Sequence, residues 1–253
     1  MPEPSQPLQN GVVLAELGGH GDGPYCATHG AGASLVMLGT YIVDAGDNVP
    51  YPKHFVFKPG RASYASYLKE HVAAARAAGG KVGVSAISVK IEDTVDFLVA
   101  AEEAGADYAS LCAHSEMKMF IKEGLGEALN NPENRRKLTE WARTLATTLT
   151  IPVIFKIGFA NTNDTSAAVE TMAAAGVPVV HVNIEHSDAQ SEGLRALGQL
   201  ALRCSFLIAG GGIANLESAR RVLDAGAGAV AIGTAAMKDP TLCGRIQRAL
   251  RTD

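Results

Sequence analysis

The residues best suited to chemistry stand at the ends of apolar runs. Lys156 follows Val153-Ile-Phe155, so its ammonium must leave that run for the rim or meet a carboxylate there. In an active site it would neutralise negative charge on a ligand, or form a Schiff base once desolvation lowers its pKa. His181 interrupts Val179-Val-His-Val-Asn183, where a structural imidazole and a group for cofactor contact or proton transfer fit equally well. Cys112 and His114 follow another apolar run. His114 is the better proton donor near neutral pH, and Cys112 also reads as a small core residue. Glu16, His20 and Asp22 gather after the first run and, with His114, offer the donor types of a divalent-cation site, although no spacing demands a metal. Glu185, His186 and Asp188 form a polar cluster readable as a substrate contact or a solvated loop, and Asn48 and Tyr41 are further candidates for substrate contact.

Two glycine-ended runs sit one helix apart: Ser205-Phe-Leu-Ile-Ala-Gly-Gly-Gly-Ile213 and Gly228-Ala-Val-Ala-Ile-Gly-Thr-Ala-Ala236, with a helical pattern over Asn215–Ala225 between them. Bare N–H groups that open onto a helix make a cradle for phosphate. The alternative is two tight turns that need positive φ. Their tandem occurrence at the end of a repeating pattern favours phosphate on Gly211, Gly212, Gly233 and Thr234.

The elements that must position these residues are legible as alternating patterns. Strand-like runs cover Gly11–Leu17, Leu35–Val43, Lys81–Ile87, Tyr108–Cys112, Pro152–Ile157, Val179–Asn183, Phe206–Ala209 and Ala229–Ile232. Their continuous apolar content marks strands buried on both faces of a parallel sheet. Helical patterns cover Arg61–Ala78, Ile91–Ala104, Asn131–Leu149, Thr165–Ala175, Ser191–Arg203, Asn215–Ala225 and Pro240–Arg251, with a short first helix opening at Gly23 as N-cap and Pro24. Eight such units in 253 residues predict an α/β fold, a single (β/α)8 TIM barrel over residues 1–253 with a polar extension at 1–10. A doubly wound open sheet is the runner-up. The longer segments Asp44–Gly60 and His114–Asn130, the latter carrying Lys118 and Lys122, are expected as substrate walls or lids on the C-terminal face.

Composition narrows the partners. The net charge of −4 argues against a nucleic-acid footprint. The four cysteines form no CxxC pair, and Cys204 and Cys243 read as structural. With no apolar leader and no run of 18 apolar residues, the expectation is a cytoplasmic protein that acts on a small molecule without a membrane and is open to homo-oligomer formation.

The stretch Val12-Val-Leu-Ala-Glu-Leu-Gly-Gly-His-Gly-Asp-Gly-Pro-Tyr25, with Leu38-Gly-Thr-Tyr-Ile-Val-Asp44, resembles the first two units of dihydrouridine-synthase-like flavoproteins. Ser115 through Gly124-Leu-Gly-Glu-Ala-Leu129, Ile151-Pro-Val-Ile-Phe-Lys-Ile157 and Val180-His181 are similar too, as are the two glycine loops. The chain is most similar to short single-domain relatives of that group, which also resemble dihydroorotate dehydrogenases. The resemblance implies FMN, with its phosphate on Gly211, Gly212, Gly233 and Thr234. Lys156 and His181 would lie near the ring, and Ala15 and Ser85 are weaker candidates for ring contact. Lys156 would then neutralise charge on the reduced isoalloxazine.

The chain departs from that pattern in ways that bear on chemistry. Glu16-Leu17 stands where the synthases carry Pro-Met, and Ser115 where they carry the catalytic Cys. Thr234 stands where an Arg is frequent, and the chain ends at its eighth helix where the synthases add an RNA-binding domain. The resemblance thus implies an FMN-dependent oxidoreductase acting on a small-molecule double bond (a cyclic enone, an enamide or a pyrimidine-like ring) rather than on tRNA. His114, Cys112 or Ser115 would handle the proton. The alternative is a flavin-free phosphate-binding lyase, aldolase or isomerase that uses Lys156 and Glu16. A scaffold without chemistry ranks last.

Overall fold

The computed structural model describes residues 6–43, 50–184 and 190–252. Eight parallel strands close on themselves: β1 (Gly11–Leu14), β2 (Leu35–Val43), β3 (Lys81–Ser88), β4 (Tyr108–Ala113), β5 (Val153–Gly158), β6 (Val179–Asn183), β7 (Phe206–Gly210) and β8 (Ala229–Ile232). Each pairs with the next, β8 pairs with β1, and β1 pairs with β2, so the sheet has no break in the ring. This is the (β/α)8 barrel that the sequence predicts. The helices on its outside are α1 (Gly23–His29), α2 (Ala65–Ala75), α3 (Ile91–Glu103), α4 (Arg135–Thr148), α5 (Thr162–Ala174), α6 (Gln190–Ala201), α7 (Leu216–Asp224) and α8 (Leu242–Arg251).

Two apolar clusters hold the layers together. The larger lies between sheet and helices, with Val12, Leu14, Val36, Val84, Phe97 and Leu145 among its members. The smaller fills the barrel interior with Leu8, Val13, Leu35, Met37, Tyr108, Ile154, Val179, Phe206 and Ile208. Successive strand residues point to opposite faces, so every second residue looks inward. Following that parity upward from Ile154 and Val179 leads to Lys156 and His181. The interior is therefore apolar at its base and polar at its C-terminal mouth.

Several elements differ from the sequence pattern at their ends. The first strand stops at Leu14 rather than Leu17, because Glu16 and Leu17 already belong to the loop that turns over the mouth. The first helix takes Asp22 as N-cap instead of Gly23, since the Asp22 carboxylate accepts the Tyr25 N–H at 2.9 Å. Asp22 is thereby occupied, His20 is exposed, and no group of three or more His, Cys, Asp and Glu suited to a metal exists among the described residues. The helical pattern over Arg61–Ala78 splits into two 3-10 turns flanking α2.

The segment after β2 adds what periodicity missed, a two-residue strand Val56–Phe57 paired with Ile42 and Val43. Phe55 and Phe57 stack around Tyr41 with Tyr67 and Phe97, which makes Tyr41 a fully buried packing residue rather than a substrate contact. Asn48 and the cluster Glu185, His186 and Asp188 lie outside the described residues. No helix among the described residues is long and apolar enough to cross a membrane.

Candidate functional site

Strand register brings the polar residues of the mouth into one row. Cys112 is paired with Lys156, and Lys156 with His181, on three adjacent strands. Asn183 follows two residues beyond His181 on the same strand, and its side-chain amide lies 3.0 Å from His114 Nε2. These neighbours are fixed by hydrogen-bonded backbone, so their spacing is rigid.

The loop after the first strand supplies the countercharge. Glu16 is 3% exposed and Lys156 9% exposed. The Lys156 ammonium lies 3.5 Å from Glu16 Oε2 and the same distance from the Glu16 carbonyl oxygen. Ser85 Oγ donates to Glu16 Oε1 at 3.4 Å, and Thr40 Oγ1 is 3.2 Å from Ser85 Oγ. Thr40 reaches this group at a register shift in β2 between Leu38 and Tyr41, the kind of irregularity that re-aims a side chain. Lys156 thus meets a buried carboxylate at the mouth.

Two cavities flank this charged group. The larger, about 700 Å³, runs from Glu16, His114, Lys156, His181 and Asn183 to Gly211, Gly212, Gly233 and Thr234, and on to Lys238 and Arg245. Ala15 forms part of its wall. The smaller, about 440 Å³, is lined by Thr40, Tyr51, Cys112, Ser115 and Met117. Glu16, His114 and Lys156 line both. Ser85 is fully buried behind Glu16 and lines neither, so it acts on the site through that carboxylate.

The glycine end is built of backbone. Gly211 and Gly212 take φ of +113° and +67°, which side-chain-bearing residues adopt only under strain. A Cβ on Gly233 would stand 3.5 Å from Leu17 Cδ2 and 3.9 Å from Ala15 Cβ. A short helix, Thr234–Lys238, begins there, as is frequent for phosphate sites after the last two strands of such barrels. His29 Nδ1 lies 2.8 Å from the carbonyl oxygen of Ala236 and ties this helix to α1. One step below, a Cβ on Gly210 would come within 3.0 Å of His181 Nε2, so the glycine leaves room for that imidazole.

Burial sets the protonation of two members. His181 is held well below the usual imidazole range by burial, aided by the positive charge of Lys156 and by His114, so it is neutral at physiological pH. Burial raises the Cys112 thiol above its ordinary value, and Lys156 only partly offsets this. Cys112 is accordingly a thiol and a potential donor rather than a thiolate nucleophile. Ser115 sits at the rim with its carbonyl accepting the Glu127 N–H at 3.0 Å. A Cβ on Gly126 would strike that carbonyl at 2.2 Å, which is why the glycine-bearing segment can fold back over the end of β4. Lys118 and Lys122 are exposed on that segment and line neither cavity.

In sequence, residues 182–252 match the family model described as "Histidine biosynthesis protein". That stretch contains both glycine loops and less than half of the chain. No curated protein matches. In structure the chain is similar to the DHODH of Eimeria tenella in complex with ferulenol, with a TM-score of 0.68 and 15% identity, covering 94% of this chain and 80% of that one. It is similar also to a morphinone reductase, with a TM-score of 0.66 and 15% identity, covering 96% and 86%. At that identity the likeness establishes the barrel. A fold shared with 954 solved chains does not select a reaction.

The sequence pattern singled out Glu16, Lys156, His181, Cys112, His114, Ser115 and the glycines, and the fold brings them to one mouth. Thr40, Tyr51 and Asn183 escaped it. Asn183 was findable, since it lies two residues past His181 on one strand and so on the same face. Thr40 and Tyr51 were not, because a register shift and a loop crossing carry them in.

Proposed function

We propose that the chain is an FMN-dependent oxidoreductase acting on a double bond of a small molecule. The observation that carries this reading is the pair of adjoining cavities that share Glu16, His114 and Lys156. One has a bare-backbone cradle at its far end; the other holds the candidate proton donors.

The residues present fit the cofactor. A volume of about 700 Å³ lies within the usual range for ligand sites. Gly211, Gly212, Gly233 and Thr234 would hold the phosphate, and Ala15, Lys156 and His181 would border the ring. Bound there, FMN would supply hydride chemistry. Lys156 would orient the ring edge. His181, neutral through burial, would offer a hydrogen bond without adding charge. On the other side, His114 or Cys112 would deliver a proton to the substrate atom, with Ser115 or water as the fallback. Tyr51 and Met117 would limit the access of water to that cavity.

The flavin-free reading draws on the buried Glu16–Lys156 pair and on the sequence match around the glycine loops. Lys156 is engaged with Glu16 at 3.5 Å, whereas Schiff-base chemistry needs an amine free to attack; this favours the flavin reading. The test is the visible spectrum of freshly purified protein, with the released cofactor identified by mass. Stoichiometric FMN is the expected result, and a colourless protein that ignores added FMN would sink the proposal. Replacing His114 or Cys112 should then slow reoxidation by substrate about 10²–10⁴-fold without loss of FMN.

A further inference from the structure

We propose that Glu16 sets the reduction potential of the bound flavin by cancelling the charge of Lys156; the inference rests on the FMN reading above. Both side chains are buried, with 2% and 11% of their surfaces exposed, and the charged atoms lie 3.5 Å apart. They form part of the wall of the cavity that ends in the glycine cradle.

Glu16 is held by more than Lys156. Ser85 Oγ donates to Oε1, and Thr40 braces Ser85. Its other oxygen, Oε2, is buried without a hydrogen-bond partner among the described residues and faces only the Lys156 charge, at long range for a hydrogen bond. The carboxylate is thus fixed as a charge rather than consumed as a hydrogen-bond hub.

The other charges of this cavity lie at its far end. There Arg245 pairs with Asp239 at 2.8 Å, and Lys238 is exposed beside the cradle. Beside Lys156, His181 carries no charge, and His114 Nε2 lies 3.0 Å from the Asn183 amide. The ion pair in the wall near the ring sets one ammonium against one carboxylate.

Reduction adds electron density to the ring. An uncompensated ammonium would stabilise the reduced state strongly in a medium of low dielectric, and a paired one stabilises it little. Glu16 thereby keeps the flavin a stronger reductant than Lys156 alone would.

The experiment compares the affinity of oxidised and of dithionite-reduced FMN for the wild-type protein, for Glu16→Gln and for Glu16→Gln/Lys156→Met. Dye-linked titration gives the midpoint potential in parallel. Glu16→Gln is expected to raise the preference for reduced over oxidised FMN about tenfold, which for a two-electron couple is about 30 mV in the positive direction. The double variant, which removes both charges, is expected to return to within threefold of wild type. An unchanged or lowered preference in Glu16→Gln overturns the inference while FMN binding stands. So does a double variant that keeps the shift of the single one, because Glu16 would then act by some route other than Lys156. A wild-type protein that binds neither form overturns the flavin reading itself, and the inference with it.

Discussion

The two sides of the barrel mouth are made in different ways. After β7 and β8 the wall is backbone: Gly211 and Gly212 in conformations open to glycine, then Gly233 leading into a short helix. From β1 to β6 it is side chain: Glu16, Cys112, His114, Lys156 and His181, drawn from four strands or the loops that follow them. A backbone wall tolerates little substitution but needs no countercharge. A side-chain wall must compensate the charge it buries, and here it does so by closing a charge pair across the mouth. The first arrangement suits a group common to many ligands, and the second suits tuning.

The sharpest way to break the comparison is to remove one member of the pair. Lys156→Met should cost about 3–5 kcal/mol of stability, because it leaves a buried carboxylate unpaired. Adding Glu16→Gln should recover most of that loss, as read by urea unfolding. If the single variant unfolds with a wild-type midpoint, the side-chain wall is not held by this pair.

A smaller effect separates the walls by pH. His181 has a folded pKa well below its unfolded value near 6.5. Below pH 6.5 the unfolded chain therefore binds a proton that the folded one refuses, and stability falls as pH falls. The loss continues until the folded pKa is reached. Its slope approaches about 1.4 kcal/mol per pH unit between the two pKa values. His181→Asn should flatten that part of the stability curve. An equal slope in both proteins would mean that other groups carry it.

On the backbone side, Gly211→Ala should cost about 1–2 kcal/mol through its positive φ alone. It should also weaken FMN more than riboflavin, which lacks the phosphate. Equal weakening of the two would put the cradle elsewhere.

The smallest effect is expected at Gly18. A Cβ there would lie 2.2 Å from Tyr51 Oη, but Tyr51 is only half-buried and can swing outward. Gly18→Ala should change stability by about 0.5 kcal/mol or less, as for most surface changes, while opening the smaller cavity. The difference in tyrosine fluorescence and solvent quenching between a Trp141→Phe and a Trp141→Phe/Tyr51→Phe background would report the movement. A loss well above that would show that the Tyr51 ring is held rigidly against Gly18.

Much of the fold could be read from residue order because its signals are local. Continuous apolar runs marked all eight strands, and the glycines at 211, 212 and 233 marked the part of the mouth built of backbone, since a need for absent side chains is visible in a few consecutive residues. Boundaries were less legible. The first strand was read three residues too long, because Leu17 extends an apolar pattern while its backbone already turns inward. Val56–Phe57 was missed because two residues cannot display a period. Tyr41 reads the same whether it contacts substrate or packs, and only the aromatic ring of Phe55, Phe57, Tyr67 and Phe97 decides.

What the sequence determined by itself is the list of units and the end of each strand at which polar residues emerge. Both follow from side-chain periodicity within one element. What the tertiary structure decided is which of those residues meet. Glu16 and Lys156 are 140 residues apart, and nothing near either one in the chain announces the other. They come together because the sheet closes between β8 and β1, and because strand register sets the height at which each side chain enters the mouth. Register and closure are properties of all eight strands at once, so the pairing that balances charge at this site exists only in the folded barrel.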